Sequence, residues 1–263
     1  MYNYDDKVSF IVGSSSHKYV YGYYRNARCN FLKSLEDIYP VVFDCDKPIA
    51  IYLDNFSLPM IDCNKKDIDK NLLCTLSSEY LYFSIVYSIM NKIVEIDGFN
   101  ILEDRVKKIL NYFNFMCLNE DFSKIDSIDK LLIALKKSKD FYFNYYHDYM
   151  SLDVLRFNIN DLEIPFVDIC SYLKVMKEIL NNNSYFSLIV DCKHDVPVIS
   201  KSAINSFVAS RCNKDISFNV ITDIDDWNVY YDLNGNVVQY IHDYDIIKLD
   251  SNYDDYMKRI RKN

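Results

Sequence analysis

The chain has 263 residues, half of them hydrophobic, with a formal net charge of −8 and a pI near 5.0. That length and apolar content allow one large core and exclude global disorder. The acidic balance argues against broad non-specific nucleic-acid binding, which needs a basic face, and leaves a local basic patch such as Lys258–Lys262 open as a nucleic-acid contact. Its 8 cysteines, at positions 29, 45, 63, 74, 117, 170, 192 and 212, form no Cys-x-x-Cys pair and no zinc-spaced Cys/His cluster. The first residues, Met1-Tyr2-Asn3-Tyr4-Asp5-Asp6, are polar and acidic rather than a secretory signal. Free thiols in a reducing cytoplasm are therefore expected, with no membrane span. Only 4 glycines occur, at 13, 22, 98 and 235, far below the usual ~7 %, and phosphate-cradling loops use glycine freely. Richness in Asn, Ile, Lys, Tyr and Asp reads as the bias of an AT-rich genome.

In chain order, Val8-Ser9-Phe10-Ile11-Val12 reads as a first strand ending on Gly13. Ser14-Ser15-Ser16-His17-Lys18-Tyr19 then falls where a phosphate loop would sit, ahead of a helix over 26–35. A working loop reads Gly-x-x-x-x-Gly-Lys-Ser/Thr, because bare amides curl around phosphate while Lys and a hydroxyl meet phosphate and Mg²⁺. Gly13, Ser15 and Lys18 are the candidates here; the second Gly is missing and Tyr19 replaces the hydroxyl. A plain polar loop is the competing reading. Pro48–Asp54 is the second strand, with Pro48 at its start, where a missing N–H is tolerated.

From Asp69 to Ile96 the apolar period becomes helical, with Leu76, Tyr80, Phe83, Tyr87, Met90 and Val94 on one face. Further helices are predicted over 102–118 and 127–146. The segment 69–160 thus reads as an α-helical insertion in an otherwise single domain, residues 1–263. Its aromatic stretch Phe141–His147 could stack bases or meet a partner, although helix-bundle core is the preferred reading. Pro165 opens an amphipathic helix carrying Phe166, Ile169, Leu173, Met176 and Leu180 on one face.

Tyr185-Phe186-Ser187-Leu188-Ile189-Val190-Asp191 is an unbroken apolar run closed by a carboxylate. Such a run predicts a strand buried on both faces that delivers one acid to its C-terminal end. A helix over 200–211 and a strand over 216–221, closing on Thr222, follow. Asn234-Gly235 between two β-rich runs predicts a two-residue type I′ hairpin. A short last strand at 246–249 and a terminal helix at 252–261 complete the expected order.

Asp191 is the strongest candidate for chemistry, as a Mg²⁺-side acid; a capping or structural aspartate is the alternative. The next residue, Cys192, cannot orient water as a following Glu would. Thr222 is a candidate polar sensor, and Arg211 a candidate phosphate contact, although arginine near a helix C-terminus is also ordinary dipole complementation. Asp191-Cys192-Lys193 also matches the Asp-x-Lys half of a metal-dependent nuclease motif. That motif wants a first acid on a neighbouring strand, and Asp161, Glu163 and Asp168 fall beside a helix instead. A Cys192/His194 nucleophile lacks an orienting third group.

Val8–Gly13, Pro48–Asp54, Phe186–Asp191, the 200–211 helix, Phe218–Thr222 and the Asn-Gly hairpin with His242-Asp243-Tyr244 together resemble a bacterial AAA/STAND-type P-loop ATPase. The origin-recognition-like group of defence and mobile-element loci is the nearest flavour. The resemblance implies a mainly parallel α/β sheet flanked by helices, with a C-terminal β-hairpin. It implies ATP and Mg²⁺ as ligands, held by Gly13, Ser15, Lys18, Arg211, Thr222 and Asp191. The eroded motif positions imply a binding or regulatory subunit with little hydrolysis and a protein partner, expected at the helical insertion.

Overall fold

The structure, a computed structural model, describes residues 4–22, 25–53, 58, 69–97, 103–116, 125–151, 169–192, 196–209, 215–222, 230–239 and 243–249. Five strands form one all-parallel sheet: β1 (Lys18–Gly22), β2 (Ile49–Leu53), β3 (Phe186–Asp191), β4 (Ile216–Ile221) and β5 (Asp245–Leu249). Their spatial order is β2-β3-β4-β1-β5. Seven helices are described: α1 (Tyr4–Gly13), α2 (Arg25–Ile38), α3 (Lys70–Asp97), α4 (Glu103–Met116), α5 (Ile128–Ser151), α6 (Ile169–Leu180) and α7 (Val198–Ala209).

Side chains alternate across each strand, so the sheet sorts the core into two layers. Val20, Ala50, Ile189, Ile221 and Ile247 meet Ile11 and Val12 of α1 and Phe31, Leu32 and Leu35 of α2. Tyr19, Ile51, Leu188, Val190, Phe218 and Val220 face the other way, into a larger cluster built with α3 to α7. Both central strands, β3 and β4, are buried along their whole length. That explains the mostly apolar run of β3; the polar Ser217 and Asn219 of β4 are buried as well and are tied by hydrogen bonds to the Ser16 carbonyl and to Ser187.

The opening strand falls in a different place from the one expected. Val8–Gly13 belongs to α1, and the first strand is Lys18–Gly22. Ile11 and Val12 are adjacent yet buried in the same cluster, which a helix permits and a strand forbids. Lys18-Tyr19-Val20-Tyr21 has the alternation and the aromatic and β-branched content of a strand: Tyr19 and Tyr21 serve one layer, Val20 the other.

Helix ends follow their sequence signals. Asp69 caps α3 by accepting from the N–H groups of Asn71 (2.9 Å) and Leu72 (3.2 Å). Asn181, at φ 50°, closes α6 in the left-handed conformation. Over Lys70–Glu95, α3 is long and apolar enough to cross a membrane by length and composition, contrary to the expectation of no such run; 72% of its most apolar stretch is nevertheless buried within the protein. Its packing against α5 explains the aromatic stretch: Tyr142 stacks on Phe83 with centroids 5.5 Å apart, and Tyr145 and Tyr146 are buried too.

The outward N–H groups of the edge strand β2 are taken by the end of α2 and the chain after it. Ala50 donates to the Tyr39 carbonyl (2.8 Å) and Tyr52 to Glu36 Oε1 (2.6 Å). At the hairpin, Tyr231 and Val237 form a single antiparallel bridge. Gly235 is left-handed at φ 79°, but Asn234 is not among the described residues with positive φ. The turn is therefore a three-residue connection over Leu233-Asn234-Gly235, not type I′. The Asp232 carboxylate organises it by accepting from the N–H groups of Asn234 and Asn236, each at 2.8 Å.

Candidate functional site

In a parallel α/β sheet, ligands sit outside the C-terminal ends of the strands, where successive connections leave on opposite faces. Here β1 feeds α2 on one face, whereas the helix after β3, α7, belongs to the opposite layer. The ends of β3, β4 and β1 therefore border the crevice. Asp191 closes β3 at this edge, and the next strand, β4, runs on to Thr222. The Thr222 N–H donates to the Val20 carbonyl of β1 at 3.1 Å, and the residue is 1% exposed. Beyond it, β1 ends at Gly22 and α2 opens at Arg25, so a helix N-terminus starts at the same edge.

Asp191 follows the register of Ile189 and so lies on the α2 face of β3. It is 6% exposed. Its Oδ2 accepts a hydrogen bond of 2.7 Å from the Tyr52 hydroxyl. Its Oδ1 is buried without a partner among the described residues. Buried carboxylate oxygens are nearly always satisfied, because a bare one keeps its full desolvation cost. Tyr52 is itself well held: its N–H is fixed by Glu36, whose other oxygen pairs with Lys92 of α3 at 3.3 Å.

The structure places Asp191 and Thr222 at the same C-terminal edge, at the ends of neighbouring strands, and separates them from the expected phosphate loop. Gly13 is the last residue of α1, Ser15 lies in the connection to β1, and Lys18 is the first residue of β1. They sit at the N-terminal edge of the sheet, on the order of 13 Å along β1 from its far end. Lys18 is fully buried; its ammonium donates to the carbonyls of Ser14 (2.8 Å) and Ser16 and to Ser217 Oγ (3.3 Å). Burial pushes its pKa down to about 7, partly offset by the charge of Asp245. A lysine enclosed there cannot reach phosphate at the opposite edge. Arg211, Lys193, His194, Asp161, Glu163 and Asp168 lie outside the described residues.

A second stretch with phosphate-loop spacing follows the end of β1. Gly22-Tyr23-Tyr24-Arg25-Asn26-Ala27-Arg28-Cys29 has the eight-residue spacing of the loop, with Ala for the second glycine, Arg for the lysine and Cys for the hydroxyl. The sequence signal was the strand itself, a Tyr-Val-Tyr alternation ending on a glycine just before a helix.

Among the described residues no group of three His, Cys, Asp or Glu side chains could hold a metal unaided. Mg²⁺ does not need one, since it is commonly held by one or two carboxylates together with phosphates and water. The bare Oδ1 of Asp191 fits that role. A separate groove of about 490 Å³ between α4 and α6 is lined by Lys108, Asn111, Tyr112, Val175, Glu178 and Ile179. It lies toward the end of α6 that feeds the start of β3, away from this edge. No family model, no curated protein and no solved structure matches the chain.

Proposed function

We propose that the protein is a catalytically degenerate P-loop ATPase-like subunit that binds a nucleotide at the C-terminal edge of its sheet. The observation that carries this reading is the bare, buried Oδ1 of Asp191 at the tip of β3, one strand from the β1–α2 junction. Phosphate would lie at that junction, against the first turn of α2, where amides and the helix dipole favour an anion. Asp191 would hold Mg²⁺, which supplies neutralisation of phosphate charge, and Thr222 lies between the two elements. Turnover is not expected: Cys192 stands where a water-orienting acid would be, and Ala27 and Cys29 replace the glycine and hydroxyl.

Such a subunit acts by binding, in the cytoplasm of a bacterium, within a defence or mobile-element system. Its protein partner is placed on the helices of 69–160, where Ile133 and Phe141 of α5 are 56% and 49% exposed. The nuclease alternative rests on the same Asp191. Its described register partner is Ile221 of β4, Leu53 of β2 lies opposite Val190, and both Asp54, the next position along the chain, and Lys193 lie outside the described residues.

Calorimetric titration with ADP and ATP in Mg²⁺ tests the proposal. Mg²⁺-dependent binding that Asp191→Asn abolishes is the expected result. Hydrolysis at the ~1–100 s⁻¹ typical of phosphoryl-transfer enzymes would overturn the degenerate assignment. Mn²⁺-dependent cleavage of plasmid DNA without nucleotide binding would replace it with the nuclease.

A further inference from the structure

We infer that Tyr52 makes Asp191 a one-oxygen ligand and thereby sets the site's preference for Mg²⁺ over Ca²⁺. The inference rests on the proposed metal role of Asp191 and concerns a residue outside that role. Three observations carry it. The Tyr52 hydroxyl donates to Oδ2 at 2.7 Å, so this oxygen is already engaged. Oδ1 of the same carboxylate is bare. Tyr52 is anchored independently, because its backbone N–H is held by Glu36 of α2, and Glu36 is tied in turn to Lys92 of α3. The hydroxyl thus reaches Asp191 from a fixed strand, braced by helices on both faces of the sheet.

The two cations differ in what they ask of a carboxylate. Ca²⁺ takes six to eight oxygens in a loose shell and readily accepts both oxygens of one carboxylate. Mg²⁺ is smaller, demands a near-octahedral shell and keeps several waters, so one oxygen serves it. A hydroxyl clamped on Oδ2 leaves the first cation without its chelating pair and costs the second nothing. The same hydrogen bond fixes the plane of the carboxylate, which keeps Oδ1 directed to one place. Hydrogen-bonding partners of metal-binding carboxylates typically matter 10–100-fold in metal affinity, and a bias of about tenfold is expected here. Tyr52 is a positioning residue, since it acts through Asp191.

The experiment measures the dissociation constant of ADP by calorimetry in Mg²⁺, in Ca²⁺ and in EDTA. The wild type, Tyr52→Phe, Tyr52→His and Asp191→Asn are compared. The wild type should bind ADP more tightly with Mg²⁺ than with Ca²⁺. Tyr52→Phe should shrink that ratio about tenfold, while Tyr52→His, which restores an N–H donor, should recover part of it. Asp191→Asn should remove the metal dependence. If Asp191→Asn removes it but Tyr52→Phe keeps the wild-type ratio, the inference about Tyr52 is wrong and the proposed function stands. Should Asp191→Asn keep full metal dependence, or the wild type bind no ADP at all, the proposed function fails and this inference with it.

Discussion

The two edges of the sheet handle a buried polar side chain in opposite ways. At the N-terminal edge the Lys18 ammonium is fully buried and meets three acceptors, and the wiring continues sideways. Ser217 donates to the Ser16 carbonyl at 2.9 Å, and Asn219 donates to Ser187 at 2.8 Å. At the C-terminal edge Asp191 has one donor on one oxygen and none on the other. A polar group whose hydrogen bonds are made within its own chain needs no ligand; one left half-satisfied is one for which a ligand would be an improvement. Burial alone does not separate the two, and the count of partners does.

Breaking the N-terminal edge should have the largest effect. Lys18→Ala removes the donor that closes the α1–β1 connection, strands the Ser14 carbonyl and leaves a cavity, so a loss of roughly 3 kcal/mol is expected in urea denaturation. A loss below about 1 kcal/mol would mean that this edge is no staple. The lysine also carries a pH signature. Its folded pKa, about 7, lies below the ordinary 10.5, so the unfolded chain holds more protons between those values. Stability should therefore rise with pH across that window, and Lys18→Met should flatten the slope.

The C-terminal edge should respond less in stability and more in binding. Asp191→Ala leaves the Tyr52 hydroxyl without its acceptor at a cost of roughly 1–3 kcal/mol, whereas Asp191→Asn keeps an acceptor and should cost under about 1 kcal/mol. Both should lose metal-dependent nucleotide binding. If both variants prove as costly as Lys18→Ala, the two edges are alike and the contrast fails.

Glu79 sharpens the comparison from outside both edges. This residue of α3 is 8% exposed with Oε2 bare among the described residues, yet burial raises its pKa from 4.5 to about 8, so it is protonated at neutral pH. A bare oxygen on a neutral acid does not call for a cation. The folded state here binds the extra proton, so stability should fall as pH rises from 4.5 through 8. Glu79→Gln should remove that decline, gain on the order of 1 kcal/mol above pH 8, and leave metal-dependent ADP binding unchanged. Altered binding in that variant would extend the site beyond Asp191.

Much of the frame was legible in the sequence, because β2 and β3 are mostly apolar runs of strand length, β4 is a short β-rich stretch, and α3 to α6 repeat at helical spacing. The end of β3 on Asp191 was legible for the same reason. The opening of the chain was not. Phe10-Ile11-Val12 is too short for periodicity to choose between helix and strand, and Gly13 beside three serines imitated a phosphate loop. That one misreading put a strand where α1 lies, whereas Gly13, Ser15 and Lys18 fall at the N-terminal edge of the sheet, away from Asp191. Tyr52 was invisible for a different reason: its bond to Asp191 joins strands 139 residues apart, and no local pattern records such a pairing.

The closure of β2 reaches beyond the single molecule. With Ala50 and Tyr52 already donating to Tyr39 and Glu36, that flank offers no row of free N–H groups to a second chain. Open-ended polymers built by continuing a sheet need two free flanks per molecule, and this sheet has at most one, at β5. Two copies that met there would be related by a twofold axis and would close on each other. Association by pairing of the described strands therefore stops at a pair.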